Sequence, residues 1–108
     1  MSIFIALVAC PSHEVASTLA KSLVDAQLAA CVQVLPEMQT VYRWKGEVCL
    51  DREVLLVIKS ASHLTENVRE FIESNHPYEV PEFVVISPTH VSERYGAWLM
   101  ENVLSSTS

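Results

Sequence analysis

Residues 53–59 read Glu-Val-Leu-Leu-Val-Ile-Lys, so that five branched apolar residues follow one another between two charged ones. A strand with one face in water alternates apolar and polar residues, whereas an unbroken apolar run is typical of a strand that is buried on both faces. Residues 3–9 and 83–86 have the same character. These three segments are therefore predicted to be strands of one sheet that needs a cover on each side.

Helical spacing of apolar residues predicts three helices between and after these strands. The first covers residues 13 to about 27 and follows Ser12, a good N-cap residue. The second is expected to be capped by Ser62. A terminal helix is indicated by Tyr95, Trp98, Leu99 and Val103.

Residues 30–43 complete the pattern as an extended segment that Pro36 interrupts, which suggests a bulge or an edge position. Lys45-Gly46 then marks a hairpin turn before the strand at 47–59. The order βαββαβ plus a last helix predicts an α+β fold, the ferredoxin-like split βαβ sandwich with a C-terminal helix. In such a sheet the helices cover one face only.

The second face of the predicted sheet needs another cover, because its strands are apolar on both sides. The terminal helix is one candidate, although a single short helix covers only part of a four-stranded face. A second copy of the chain is the other candidate. The pattern therefore favours a homo-oligomer.

Composition narrows the function classes. The chain has 108 residues, predicted to form one domain over 1–104 with a flexible tail at 105–108, and its net charge of −6 argues against nucleic-acid binding. Its apolar start has no basic segment before it and is too short to span a membrane, so we expect no membrane association. Three cysteines, an odd number, favour a reducing compartment, the cytoplasm.

Five segments together resemble the CutA divalent-cation tolerance family, and they cover almost the whole chain. The most specific is His-Pro-Tyr-Glu-Val-Pro-Glu at residues 76–82. The others are residues 28–32, 41–47, 53–59 and 95–99.

This resemblance implies a ferredoxin-like, PII-like protein that forms compact homotrimers with the sheets packed toward the centre. It also implies a role in tolerance of divalent cations, with copper as the metal attributed to some members. The expected function is therefore a non-enzymatic trimer that binds a divalent metal such as copper and supports cation homeostasis. The alternative is a PII-like regulatory or scaffold trimer that binds a small ligand or protein at subunit clefts.

A candidate metal site follows from the strand order. The first strand of a ferredoxin-like sheet lies beside the last, which brings Cys10 near the loop 76–82. Cys10, His76, Glu79 and Glu82 offer a thiolate, an imidazole and carboxylates, which suit Cu(II) or Zn(II). The alternative is that the His-Pro-Tyr-Glu segment packs against a neighbouring subunit.

Signatures of catalysis are sparse. Gly46 and Gly96 are the only glycines, so the chain has no glycine-rich phosphate loop and no nucleophile elbow. A Cys10–His76 nucleophile–base pair is conceivable, but nothing in the sequence indicates a third orienting group or an oxyanion hole. We predict no catalytic residues. Tyr42 and Trp44 alternate along the hairpin and suit either a ligand platform or an interface.

Overall fold

The computed structural model describes residues 2–106. Within them lie five strands, β1 (Ile3–Cys10), β2 (Cys31–Val34), β3 (Met38–Trp44), β4 (Glu47–Ala61) and β5 (Val84–Ile86). The helices are α1 (His13–Asp25), α2 (Thr65–Asn75) and α3 (Glu93–Glu101), with a one-turn 3₁₀ helix at Ser62–Leu64. No helix in this range is long and apolar enough to cross a membrane. Of the predicted tail, 105 and 106 are exposed and irregular, and 107–108 lie outside the described residues.

The strand order β2-β4-β1-β5 is the ferredoxin-like order, and every pairing is antiparallel. This confirms the prediction that the first strand lies between the last strand and the long third one. The unbroken apolar run of β4 occupies an inner position, where Leu56 pairs with Val8 of β1 on one side and with Val34 of β2 on the other.

The helix-covered face of the sheet is the core. Phe4, Ala6 and Val8 of β1 point to this face and are essentially inaccessible, and so are Leu56 and Ile58 of β4. The apolar sides of α1 and α2 close over them.

The second face is only partly covered within one chain. Ile5, Leu7 and Val57 keep intermediate exposure there. At one end α3 approaches the sheet, where the Lys59 ammonium lies 5.7 Å from the centre of the Tyr95 ring. All of β5 is exposed. The apolar runs were predicted to be buried on both faces, and a single chain buries fully only the face that α1 and α2 cover.

Three local boundaries differ from the sequence-based prediction. The first helix ends at Asp25 rather than near 27, because Gln27 adopts a left-handed φ of 58°. Ser62 does not cap the second helix: it begins the 3₁₀ turn, and its carbonyl oxygen accepts a hydrogen bond from the Thr65 hydroxyl at 2.8 Å. The segment around Pro36 separates two strands, β2 and β3, where one interrupted segment was predicted.

A hairpin arm continues beyond the central sheet, formed by β3 and by residues 47–53 of β4, which pair with β3 over seven positions. Its tip is the predicted turn, in which Lys45 and Gly46 take positive φ values of 50° and 82°. Such values at both central residues are those of a type I′ turn, which matches the twist of the strands. The register gives the arm an outer face, carrying Val41, Val48 and Leu50, and an inner face. The inner face carries Thr40, Tyr42, Trp44, Asp51 and Glu53.

Candidate functional site

The end of β1 lies beside the loop 76–82, as the strand order predicts. His76 follows α2 directly and is buried, with 8% of its surface exposed. Its Nδ1 accepts a hydrogen bond from the Tyr78 backbone N–H at 3.1 Å, so the proton is on Nε2, which donates to the Ala9 carbonyl oxygen at 2.8 Å. Both ring nitrogens are therefore used to fasten the loop to the end of β1.

Cys10 is close to this loop but is fully buried. Loss of hydration, with smaller contributions from the Glu53 and Glu82 carboxylates, raises the pKa of the Cys10 thiol to about 11. A thiol must lose its proton to bind a metal, and from a pKa of about 11 this costs about 5 kcal/mol at neutral pH. The strongest predicted ligand is therefore held in its non-binding form.

The two predicted carboxylate ligands lie on the surface of the loop. Glu79 is exposed, and so is Glu82, whose pKa is raised by partial loss of hydration and by the nearby Glu53 carboxylate. Over residues 2–106 no three His, Cys, Asp or Glu side chains are grouped as they would be to hold a metal ion. Metal binding by Cys10, His76, Glu79 and Glu82 therefore stays a prediction, and it would require these side chains to rearrange.

The Cys10 thiol gives the stability of the protein a specific pH dependence. The pKa of this thiol is 9.0 in the unfolded chain, its ordinary value, and about 11 in the folded protein. Below pH 9 the thiol is protonated in both the folded and the unfolded chain, and its contribution to stability is fully present. Between pH 9 and 11 the thiol ionises in the unfolded chain only, which favours unfolding. The free energy of unfolding is then expected to fall by up to about 1.4 kcal/mol per pH unit. Urea unfolding across this range measures it. In Cys10→Ser this part of the slope should vanish; an unchanged slope would contradict the assignment.

A concave site does exist next to this position, between the inner face of the arm and the loop 76–82. This arm pocket has a volume of about 350 Å³. Its walls come from the end of β1, both strands of the arm and the loop. They are formed by Ala9, Thr40, Tyr42, Trp44, Asp51, Glu53, Tyr78, Glu79, Val80 and Glu82.

Hydrogen bonds between phenols and carboxylates organise the arm pocket. The Tyr78 hydroxyl donates to Glu53 Oε2 at 2.7 Å, which ties the loop to β4. On the arm the Tyr42 hydroxyl donates to Asp51. The Asp51 hydrogen bond, with loss of hydration, raises the pKa of Tyr42 to about 12, and burial and the Glu53 carboxylate raise the pKa of Tyr78. Both phenols therefore stay protonated and act as donors at neutral pH.

Part of this pocket was predictable from the sequence. Tyr42 and Trp44 were singled out as a ligand platform or an interface, and Glu79 and Glu82 as candidate ligands. Asp51 and Glu53 were missed, although they alternate along a predicted strand and therefore share one face. What the sequence did not reveal is that the loop folds back against this face.

A family model and individual related proteins point to the same family. The family model of the CutA1 divalent ion tolerance protein matches residues 4–102. The chain is similar to the divalent-cation tolerance protein CutA of Thermus thermophilus, with 43% identity over 91% of this chain and 95% of that protein. It is also similar to the protein CutA of Mus musculus, with 39% identity over 91% of this chain but only 55% of that protein.

Solved structures agree with these sequence matches. The Thermus thermophilus Cut A1 structure superposes with a TM-score of 0.90 and 42% identity, and the alignment covers 94% of this chain and 98% of that one. The CutA1 structure from Oryza sativa gives a TM-score of 0.94 at 33% identity, over 98% of this chain and 97% of that one. The described fold is thus that of these proteins over nearly the whole chain.

Proposed function

The chain belongs to the CutA1 divalent ion tolerance protein family, and on that premise we propose that it supports tolerance of divalent cations as a homotrimer that binds ligands without catalysing a reaction. The observation that carries this proposal is the arm. Its outer face has three exposed apolar side chains, with Arg43 and Arg52 beside them, and its inner face is acidic. The outer face offers a surface for assembly, and the inner face offers a pocket for a cationic ligand.

Assembly is supported by the exposure of the outer face. Val41, Val48 and Leu50 lie on the same side of the arm and are 62%, 65% and 59% exposed in the single chain. The exposed β5 and the partly covered second face of the sheet add further apolar surface. Large contiguous apolar surfaces are typical of sites where proteins associate. A second and a third copy of the chain are the covers we propose, three being the number that the family resemblance implies.

A binding role without catalysis is supported by the end of β1. The Cys10 thiol is protonated at neutral pH, and both ring nitrogens of His76 are engaged in hydrogen bonds to the backbone. A nucleophilic cysteine requires a lowered thiol pKa and a free base beside it. Neither condition is met at this position.

All three cysteines are free thiols, which suits the cytoplasmic location that we propose.

Copper binding at Cys10, His76, Glu79 and Glu82 stays a prediction. Coordination there would require the thiol to ionise and a His76 nitrogen to give up its hydrogen bond, which costs about 1 kcal/mol more. A copper ion could use these side chains only after the loop 76–82 rearranges. The proposed function therefore does not depend on this metal site.

Growth of a bacterium that lacks its own CutA protein tests the function. Expression of this chain is expected to raise the copper concentration that halves the growth rate. Leu50→Asp, which puts a charge on the outer face of the arm, is expected to lose the effect. Val24→Asp makes the same kind of change at an exposed position of α1 and serves as the control. Growth no better than with an empty vector would contradict the proposal.

A second candidate function, the PII-like regulatory or scaffold trimer, is favoured by the arm pocket. Its volume of about 350 Å³ lies within the range of small-molecule sites. In this candidate a small ligand in the pocket changes how the arm and the loop 76–82 are held. The two candidates share the assembly and differ in what is bound.

A further inference from the structure

We propose that the arm pocket binds an organic ammonium ion, recognised by its carboxylates and aromatic rings together. This inference deepens the second candidate function by naming the class of its ligand. It concerns a site separate from the predicted copper ligands Cys10 and His76, and it can fail while a role in divalent-cation tolerance stands.

The charge of the pocket calls for a cation. Four carboxylates line it, those of Asp51, Glu53, Glu79 and Glu82, and none of the described residues that line it is Lys, Arg or His. Of the basic side chains of the arm, Arg43 and Arg52 are engaged away from the pocket, whereas Lys45 lies beside one of its walls, Trp44. Arg43 donates to the Gly46 carbonyl oxygen, Arg52 pairs with Glu37 at 2.9 Å, and Lys45 lies over the Trp44 ring.

Glu53 is the carboxylate of the pocket that is best placed to bind a cation. It is 93% buried, since only 7% of its surface is exposed, and it lines the pocket. Its Oε2 accepts a hydrogen bond from the neutral hydroxyl of Tyr78. No buried side-chain oxygen among the described residues lacks a partner, so Oε1 is open to the pocket, where a ligand can reach it. Carboxylates this buried are almost always paired with a cation, because removing a charge from water is costly. Within residues 2–106 no Lys, Arg or His is paired with Glu53, so we expect a bound cation to take that place.

The aromatic lining decides the kind of cation. Tyr42, Trp44 and Tyr78 line the pocket, and the two phenols are held in place by their hydrogen bonds to Asp51 and Glu53. An ammonium group is attracted both by carboxylates and by aromatic rings. Trp44 already takes part in one such contact, since Lys45 Nζ lies 5.7 Å from the centre of its ring.

A bare metal ion suits this lining less well. Divalent metals need several oxygen, nitrogen or sulfur ligands converging at short distance, and residues 2–106 contain no group of three such side chains. The Trp44 ring offers no metal ligand, and the hydroxyls of Tyr42 and Tyr78 are protonated and engaged as hydrogen-bond donors. An organic ammonium needs only hydrogen bonds to one or two carboxylates and apolar contact for its carbon chain, both of which the pocket offers.

Isothermal titration calorimetry of the purified full chain at low ionic strength tests the proposal, with putrescine, a four-carbon diamine, as the probe. We expect saturable binding of one molecule per chain. The diol of the same length, which has the same shape without charge, is expected not to bind. Magnesium at matched ionic strength is expected not to displace the diamine. Wild-type protein that does not bind putrescine, or that binds the diol equally well, would overturn the proposal.

Variants locate the binding. Glu53→Gln keeps the shape of the side chain and removes its charge, and it should weaken binding by about tenfold or more. Glu101→Gln removes the same charge from an exposed position on α3 and should change affinity less than about twofold. Equal affinities in the two variants would overturn the assignment. Should Glu53→Gln fail to fold, Trp44→Leu at its exposed arm position makes the same test.

A basic side chain from a second copy of the chain is the competing occupant. In that case the wild-type assembly would not bind putrescine, and Leu50→Asp, which is designed to separate the copies, would bind it. This result would also overturn the proposal, because the pocket would then be an intersubunit contact. The proposed role in cation tolerance would be unaffected by it.

Discussion

Replacing Leu56 by alanine is expected to lower the free energy of unfolding by about 3 to 5 kcal/mol. Leu56 is completely buried and lies on β4 between Val8 of β1 and Val34 of β2. Strands on both sides are held by ladder hydrogen bonds, so they cannot move in to fill the space that the side chain leaves. The lost stability therefore has two parts: the free energy of transferring the deleted atoms from water into the core, and the cost of the cavity that they leave.

Urea unfolding followed by circular dichroism measures this effect, at one protein concentration because the proposed assembly would stabilise the folded chain. The matched control is Leu104→Ala, which deletes the same atoms from a side chain that is 44% exposed. We expect it to cost less than about 1 kcal/mol. Similar losses in both variants would mean that the core is not where the structure has it.

Leu50→Asp is expected to convert the proposed trimer into single folded chains. The side chain is 59% exposed on the outer face of the arm, so a charge there costs the isolated chain little. In the proposed assembly the same carboxylate would be removed from water against a neighbouring copy, which costs several kcal/mol per interface. Three interfaces per particle would multiply that cost.

Sedimentation equilibrium gives the mass, and circular dichroism reports whether the fold is kept. Wild type should have the mass of about three chains and Leu50→Asp that of one. Val24→Asp, with the same change on α1 at 41% exposure, should keep the wild-type mass. A wild-type chain that is monomeric at micromolar concentration would contradict the proposed assembly, and a trimeric Leu50→Asp would place the interface away from the arm.

The fold was predictable from sequence because its signals are local and agree with one another. The apolar run at 54–58, the N-cap at Ser12 and the turn at Lys45-Gly46 all lie where the pattern indicated. Ser12 Oγ accepts the Val15 N–H at 3.2 Å, as an N-cap should. The errors fell at the ends of helices and strands. There the conformation of one residue, such as the positive φ of Gln27, sets the boundary, and the spacing of apolar residues does not indicate it.

The candidate site was predictable in position but not in chemistry. Strand order was sufficient to bring the end of β1 to the loop 76–82, and the hydrogen bond from His76 to Ala9 confirms that proximity. Whether an imidazole nitrogen is free depends on which backbone groups face it. Whether a carboxylate such as Glu53 is buried depends on how Tyr78 closes over it. The hydrogen bonding of the imidazole and the burial of the carboxylate both depend on the folded loop, and residue types and spacing do not reveal them.

The rigidity of the arm has a consequence for the rate and the entropy of association. A segment that orders only on meeting its partner loses about 1–2 kcal/mol of backbone entropy per residue at that moment. The arm is held by seven cross-strand pairs and by the continuity of β4 into the central sheet, so its backbone is already fixed in the single chain. Preorganisation of this kind removes the ordering cost from the encounter. Chains that carry such an arm can dock without first folding it.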